Sequence, residues 1–151
     1  MRVFIALGSN LGDGTKNLSH AIDQIAQLYP VIRSSSILIT KAKYIEDQPD
    51  FHNQVIEIET DQSAFDVLGH LHQIEHDMGR VRTIKYGPRI IDLDIIFFGD
   101  QIINTDNLKV PHPSLYERDF VLSPLNEIAP DFVCPLTGKS INELQVTPAT
   151  K

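Results

Sequence analysis

The sequence predicts an α+β fold in which strands and helices follow one another in the order β-α-β-β-α-β. Four short segments are apolar throughout or alternate between apolar and polar residues, as strands do. Two longer segments carry apolar residues three or four positions apart, which is the spacing of amphipathic helices. Glycine, proline and capping residues separate these segments. This order is the ferredoxin-like, split βαβ arrangement.

The first half of the predicted core is a strand, a helix and a second strand. Residues 2–7 form an apolar strand, which ends at the glycine-rich residues 8–14. The helix is predicted by apolar residues at helical spacing: Leu18, Ala21, Ile22, Ile25 and Leu28. Pro30 ends it, and the β-branched, serine-rich residues 31–40 predict one continuous second strand. Residues 41–52 are a long connection without a clear period, which is typical of a functional or mobile loop.

The second half of the predicted core begins with a strand and a capped helix. Residues 55–59 alternate strictly, which predicts a third strand with one solvent-exposed face. Ser63 and Asp66 resemble a capping box at the start of the second helix, with Asp in place of the usual Glu or Gln. Gly79 is its predicted C-terminal stop.

The fourth strand and the C-terminal extension complete the expected architecture. Residues 91–98 predict the strand, and Gly99 and Asp100 predict a hairpin turn into residues 101–103. Residues 104–151 hold six of the nine prolines, so we expect an extension of short helices and turns. No linker or repeat divides the chain, which predicts a single domain over residues 1–151.

Composition and charge limit the partners and the compartment. The formal net charge of −7 argues against a broad surface for nucleic acid or anionic membrane. The single Cys134 excludes an internal disulfide and suits a reducing compartment. The apolar run at residues 3–7 is too short for a signal peptide, and no run approaches the roughly 20 apolar residues of a membrane span. We therefore expect a cytoplasmic protein, and a monomer.

Two acids, Asp92 and Asp94, lie one residue apart within the apolar fourth strand. Residues two apart in a strand point to the same face, so the two carboxylates project together. Such a pair needs compensating charge, for which a divalent cation is a candidate. Four bases lie just upstream: Arg80, Arg82, Lys85 and Arg89. Acids for Mg²⁺ beside bases for phosphate suit phosphoryl transfer, although a solvated strand end beside a basic loop would give the same pattern.

Two short motifs have a structural and a functional interpretation. Residues 8–14 lead into a helix like a phosphate loop, but they lack the Gly-Lys-Ser/Thr signature, so a tight turn with a polar cap is favoured. Residues 72–76 read His-x-x-Glu-His, the inverted zincin pattern. No third ligand is evident for a zinc ion, and a polar helix face is the favoured interpretation.

A histidine and several aromatic residues in predicted loops are further candidates. His112 lies between two prolines, which restrain it for either a structural role or a phosphate contact. Phe51, Tyr86 and Phe120 could each fill the core. Aromatics from two loops could instead clamp a planar heterocycle, with the amide of Asn53 reading its edge.

Taken together, these segments resemble the 6-hydroxymethyl-7,8-dihydropterin pyrophosphokinase family of folate biosynthesis. The resemblance covers essentially the whole chain, and its most specific part is the string Gly-Pro-Arg-x-x-Asp-x-Asp. The motifs that carry it are residues 6–12, 48–53, 79–82, 87–94 and 110–113. The family implies a single catalytic α+β domain with a ferredoxin-like core. It also implies Mg²⁺-dependent transfer of pyrophosphate from ATP to the pterin hydroxymethyl group, with release of AMP.

The resemblance also implies roles for individual residues. Asp92 and Asp94 are expected to hold two Mg²⁺ ions and to act in catalysis together with Arg82 and Arg89. The expected ATP contacts are His72, Glu75, Arg82, Tyr86, Arg89, Ile95, His112 and Arg118. The expected pterin contacts are Thr40, Phe51, Asn53 and Phe120. Residues 80–88 are expected to close over ATP as a lid.

Two departures and one alternative accompany the resemblance. Lys41 and Ala42 replace a Pro-Pro pair that is frequent in the family, so this loop should be less rigid. Tyr86 replaces a tryptophan but can still stack. The alternative class is a binding module, because RNA-recognition motifs share the β-α-β-β-α-β order. Two acids on the fourth strand and a negative net charge argue against RNA, whereas a domain that senses a small ligand fits the same order.

Overall fold

The computed structural model describes residues 1–41, 50–79, 90–115 and 118–146. Within them the chain is a mixed α/β protein, an antiparallel sheet with helices on both faces. The strands are β1 (Arg2–Ser9), β2 (Val31–Ser34), β3 (Leu38–Thr40), β4 (Phe51–Glu59), β5 (Asp92–Phe98), β6 (Ile103–Asn104) and β7 (Lys109–Val110). The helices are α1 (Gly14–Ala26), α2 (Ala64–Asp77), α3 (Asp119–Ile128) and α4 (Ile141–Val146). None of these helices is long and apolar enough to span a membrane.

The main sheet has the strand order β2-β4-β1-β5. Strand β3 pairs with the N-terminal part of β4, and β2 pairs with its C-terminal part. Every pair in it is antiparallel. The longest strands, β1 and β4, lie in the centre, and β5 lies at one edge. The prediction of an α+β chain with a C-terminal extension is therefore confirmed at this level.

The sheet separates two apolar cores. On one face α1 and α2 cover the sheet, and this core includes Val3, Ile5, Leu7, Leu18, Ile25, Ile56, Ile58, Leu71 and Leu93. On the other face α3 and α4 cover it, and this core includes Phe4, Val55, Ile96, Phe97, Leu122, Leu125 and Ile141. The central strands are therefore apolar on both sides, because neither face is left to water.

The helix ends confirm the predicted caps. Asp13 caps α1 and accepts a hydrogen bond from Lys16 N at 3.1 Å, which supports the interpretation of residues 8–14 as a turn with a polar cap. The Ser63 hydroxyl caps α2 and accepts from Asp66 N at 3.1 Å. Gly79 follows α2 at φ 88°, a left-handed conformation that favours glycine.

The predicted single strand over residues 31–40 is wrong, because the structure breaks it into β2 and β3. Ser35 lies in the break and its backbone N–H bonds Val55 O at 2.9 Å. Its hydroxyl also accepts from Val55 N at 2.9 Å, so a side chain replaces the backbone carbonyl in the ladder. This local competition between side chain and backbone leaves no trace in the hydrophobic pattern.

Two further expectations are wrong. The third strand has no solvent-exposed face through its length, because Glu57 is only 3% exposed and pairs with Arg2. The hairpin expected after β5 does not form within the described residues. Gly99 does turn the chain at φ 56°, but β6 then pairs with β7 instead of returning along β5. No strand among the described residues pairs with the outer edge of β5, and the site described next lies along this edge.

Candidate active site

The sheet register places Asp92 and Asp94 on the face covered by α3 and α4. Asp92 pairs with Gly8, and Asp94 pairs with Ala6. Directly paired residues of neighbouring strands point to the same side of a sheet. Both aspartates are half-buried, in contrast to the buried Leu93 between them, whose side chain enters the opposite core. Asp92 and Asp94 therefore project from one face of the sheet, as the alternation within the strand predicted.

A floor of small residues lies next to the acid pair. Ala6 and Gly8 are half-exposed, although the rest of β1 from Val3 to Ser9 is buried. Gly8 pairs with Asp92 on one side and with Asn53 on the other. Neighbouring strands are about 4.8 Å apart, so the backbones of Asn53 and Asp92 are separated by roughly 10 Å across Gly8. The absence of a side chain at Gly8 leaves a shallow open surface between an amide and a carboxylate.

The amide of Asn53 is held in a fixed orientation. It is 5% exposed, and its Nδ2 donates to Leu38 O at 3.2 Å and to the Thr40 hydroxyl at 3.0 Å. Its Oδ1 faces Gly8, where it would lie 3.6 Å from a Cβ. Because β3 occupies the nitrogen, the oxygen is the atom that is directed towards the floor. Thr40, predicted as a pterin contact, positions Asn53 here.

The two predicted clamp residues lie on the same face of the sheet as the floor. Phe51 precedes Asn53 by two residues in β4 and is half-buried, with a ring carbon 4.0 Å from a Cβ built on Gly8. Phe120 is half-buried in α3 and packs against the core cluster that also contacts Ala6. The Arg118 guanidinium lies over the Phe120 ring at 5.6 Å. Strand β4 and helix α3 thus each bring one aromatic ring to this face.

A cleft of about 740 Å³ follows the open edge of β5 and leads away from the floor. It lies between α2 and the segment 106–113. Among the predicted site residues it is lined by His72, Glu75, Asp92, Asp94, Ile95 and His112. The acid pair therefore lies where an open cleft meets the small-residue floor. This volume is in the range of small-molecule sites.

His112 is held against the edge of β5. Its backbone N–H bonds Ile96 O at 3.1 Å, and its Nδ1 accepts from Ser114 N at 3.1 Å. Burial and the Arg118 charge lower the pKa of His112 to about 4, while the Asp92 carboxylate opposes this shift. The imidazole is therefore neutral at pH 7. With Nδ1 accepting, the proton is on Nε2, which is then a hydrogen-bond donor.

The resemblance predicted Glu75 as an ATP contact. In the structure its carboxylate accepts a hydrogen bond from the protein backbone. It lines the cleft, yet it is 5% exposed, and Oε2 accepts a hydrogen bond from Leu93 N at 2.8 Å. His72 is exposed on the same helix. The described residues contain no group of three or more His, Cys, Asp or Glu that could hold a metal. The interpretation of residues 72–76 as a polar helix face stays a prediction.

The acid pair fits Mg²⁺. Carboxylate oxygens are its usual protein ligands, and Mg²⁺ in nucleotide sites is commonly held by one or two carboxylates together with substrate phosphates and water. A cage made entirely of protein ligands is therefore not required. Two half-buried carboxylates on one face at the mouth of a cleft meet this requirement.

Several site residues were missed and three lie outside the described residues. Arg82, Tyr86 and Arg89, and the predicted lid over residues 80–88, fall outside them. The residues that line the cleft but were not predicted include Phe65, Leu68, Asp106, Asn107 and Lys109. The position of Lys109 directly before the Val-Pro-His-Pro string was a signal that could have been used. Asp106 and Asn107 are typical turn residues, but the sequence did not indicate that this turn lines the cleft.

The sequence of this chain matches a known family over most of its length. Residues 4–130 match the family described as 7,8-dihydro-6-hydroxymethylpterin-pyrophosphokinase (HPPK). The chain is 42% identical over 143 residues to the 2-amino-4-hydroxy-6-hydroxymethyldihydropteridine pyrophosphokinase of Haemophilus influenzae, covering 93% of this chain and 89% of that protein. It is 45% identical over 127 residues to the protein of the same name from Bacillus subtilis, covering 83% and 76%.

Some relatives are much longer proteins. The chain is 40% identical over 144 residues to the folic acid synthesis protein FOL1 of Dictyostelium discoideum, covering 95% of this chain and 22% of that protein. It also resembles a solved HPPK-DHPS structure of Plasmodium falciparum with pteroate, at a TM-score of 0.78 and 16% identity, covering 96% of this chain and 42% of that one. At this identity the structural likeness concerns the fold alone.

Proposed function

The chain belongs to the 7,8-dihydro-6-hydroxymethylpterin-pyrophosphokinase family, and we propose that it transfers the pyrophosphoryl group of ATP to the hydroxymethyl group of 6-hydroxymethyl-7,8-dihydropterin, releasing AMP. The observation that carries this proposal is the row Asn53–Gly8–Asp92, which sets a fixed amide and a half-buried carboxylate on either side of an open floor. A binding module without catalysis would not need an acid pair at the junction of two subsites.

The pterin subsite is the floor of Ala6 and Gly8. The planar ring lies over Gly8, where a larger side chain would fill the space. The Asn53 Oδ1 accepts hydrogen bonds from ring N–H groups, because its amide nitrogen is already bonded within the protein. The rings of Phe51 and Phe120 stack on the heterocycle. This arrangement directs the hydroxymethyl group towards Asp92 and Asp94.

The nucleotide subsite is the cleft along β5. Ile95 and the neighbouring apolar wall from α2 suit the adenine base, and the triphosphate points back to the acid pair. Mg²⁺ bound by Asp92 and Asp94, two ions in this proposal, would neutralise phosphate charge. Through the Mg²⁺ that they would hold, the carboxylates would orient the triphosphate so that its β-phosphorus faces the pterin oxygen. That oxygen attacks the β-phosphorus in line, and the α–β bridging oxygen leaves with AMP.

His112 and Arg118 supply donors for the phosphates. The Nε2–H of neutral His112 donates a hydrogen bond, and Arg118 contributes positive charge from the start of α3. Arg82 and Arg89 are proposed to stabilise the transferring group, and Tyr86 to stack on a substrate. Phosphoryl transfer places little demand on a general base, and Asp94 is proposed as an acceptor for the hydroxyl proton.

The proposal extends to architecture and setting. The strand order β2-β4-β1-β5 supports a ferredoxin-like core, since it places the second and third core strands side by side and the first and fourth likewise. We also propose a single catalytic domain over residues 1–151 that acts as a monomer in the cytoplasm on small molecules, without a nucleic-acid or membrane partner.

The test is the fate of each phosphate in one turnover. The protein is mixed with Mg²⁺, the reduced pterin and ATP labelled with ³²P at either the β or the γ position, and the products are separated by chromatography. Both labels should appear on the pterin in equal yield, with AMP as the nucleotide product and no reaction in the presence of a chelator. Transfer of the γ label alone, with ADP formed, would refute the proposal.

A further inference from the structure

We propose that Glu75 is a positioning residue for the acid pair, acting through a hydrogen bond to the backbone between Asp92 and Asp94. The inference rests on the proposed pyrophosphoryl transfer for its catalytic meaning. Its structural part concerns only this chain. Glu75 would then contact neither ATP nor metal but would hold the strand that carries the metal ligands.

The bond joins a buried carboxylate to an edge strand. Glu75 lies in α2 and is 5% exposed, and its Oε2 is 2.8 Å from Leu93 N, 18 residues along the chain. In the part of the chain that the structure describes, β5 pairs with β1 on one side only, and no described strand faces its outward N–H groups. Edge strands fray unless something covers them. At Leu93 the cover is a charged acceptor, which forms a stronger hydrogen bond than a neutral one.

The position of this bond determines what it controls. The N–H of Leu93 belongs to the rigid peptide plane that joins Asp92 to Leu93. Fixing this plane restrains the ψ angle of Asp92 and the φ angle of Leu93. These two angles influence the directions in which Asp92 and Asp94 project. Hydrogen bonds behind metal ligands commonly orient those ligands in this way. A helix is also a more precise support for such a site than a loop.

Burial argues against a role in packing alone. A carboxylate is costly to bury, and an apolar residue would fill the space between α2 and β5 at lower cost. Two roles remain to be separated. Glu75 could act through the geometry of its hydrogen bond, as proposed, or through its negative charge, which would attract a cation towards the neighbouring aspartates.

Two substitutions separate geometry from charge. Glu75→Gln removes the charge and keeps an oxygen at the same reach, so it preserves the bond to Leu93. Glu75→Asp keeps the charge and shortens the side chain by one methylene, so it loses the bond. Asp77→Asn is the matched control, because Asp77 is an exposed carboxylate in the same helix. Both Glu75 variants are close in size to the original residue and are expected to fold.

Three quantities are measured for each variant. They are hydrogen exchange of the Leu93 amide by NMR, the Mn²⁺ dissociation constant in the presence of α,β-methylene-ATP, and kcat with KM for ATP. For Glu75→Asp we expect faster Leu93 exchange, a loss of Mn²⁺ affinity of about 10- to 100-fold, and a similar fall in kcat. For Glu75→Gln we expect Leu93 to stay protected and both constants to remain within about threefold of the original protein.

The opposite order would overturn the inference. Weak Mn²⁺ binding in Glu75→Gln with strong binding in Glu75→Asp would show that charge acts. Unchanged Mn²⁺ affinity in both variants, with only lower thermal stability, would show a structural role alone. The exchange and Mn²⁺ measurements do not depend on turnover. If the original protein formed no AMP, the proposed function would fail while these two readouts still tested the bond.

Discussion

Two groups of carboxylates lie on the same face of the sheet, and their surroundings differ. Glu57 is 3% exposed near one end, where Arg2 Nε approaches it at 2.7 Å and Arg2 Nη2 at 3.3 Å, with Arg33 at 4.0 Å. Asp92 and Asp94 are half-buried near the other end, between an open floor and a cleft. An acidic residue in a strand is therefore not by itself evidence of a functional site. Near-complete burial beside an arginine marks a structural acid, and partial exposure at a cleft marks a candidate ligand site.

The largest expected effect follows from removing charge at the open end. Asp92→Asn and Asp94→Asn should each lower kcat about a thousandfold, since a metal ligand provides several kcal/mol of transition-state stabilisation. The free energy of unfolding should change by less than about 1 kcal/mol because both side chains are half-exposed. Steady-state kinetics and urea denaturation measure the two quantities. Near-normal kcat in both variants would remove the acid pair from the mechanism.

The closed end should respond in the opposite way. Arg2→Met should lower the free energy of unfolding by about 2 kcal/mol, because the described residues then leave the buried Glu57 carboxylate with Arg33 at 4.0 Å. The kcat should remain within about twofold. Urea denaturation followed by circular dichroism provides the first value. A stability loss below 0.5 kcal/mol, or a large fall in kcat, would break the distinction between the two ends.

The aromatic residues near the acid pair should affect the binding of one substrate and not of the other. Phe51→Leu and Phe120→Leu should each weaken pterin binding about tenfold, as expected for the loss of one stacking contact. The affinity for ATP should stay unchanged, since both rings lie on the face of the sheet that carries the floor and neither lines the cleft. Isothermal titration with each ligand tests this. Equal losses for both ligands would indicate that the rings only fill the core.

The last expected effect is a pH dependence of stability in the ligand-free protein. The pKa of His112 is about 4 when folded and near 6.5 when unfolded, so the unfolded chain binds the extra proton between these values. Stability should therefore fall as the pH falls from 6.5 to 4. His112→Asn should flatten this slope by up to about 1.4 kcal/mol per pH unit. The original protein and His112→Asn have the same carboxylates, so identical slopes of stability against pH would mean that His112 is not held neutral.

The parts of the fold that the sequence predicted are those with local causes. The caps at Asp13 and Ser63 and the stop at Gly79 depend on residues within a few positions, and all three are confirmed. The break at Ser35 and the burial of Glu57 could not be predicted. Each depends on a residue far away in the chain, Val55 in one case and Arg2 in the other.

The candidate site divides in the same way. Alternation within β5 was enough to place Asp92 and Asp94 on one face. The floor of Ala6 and Gly8 was not foreseen, because it follows from the pairing of three strands and from what is small between them. The fixed orientation of Asn53 likewise required β3 to be a separate strand.

The most direct test of the account is a count of the Mn²⁺ ions bound to the protein with α,β-methylene-ATP, followed by electron paramagnetic resonance. The original protein and Arg2→Met should each bind two ions, because the closed end takes no part in metal binding. Asp92→Asn and Asp94→Asn should each bind fewer ions, or bind them at least tenfold more weakly. Two ions bound with unchanged affinity in the double variant Asp92→Asn/Asp94→Asn would contradict the assignment of the acid pair as the metal site.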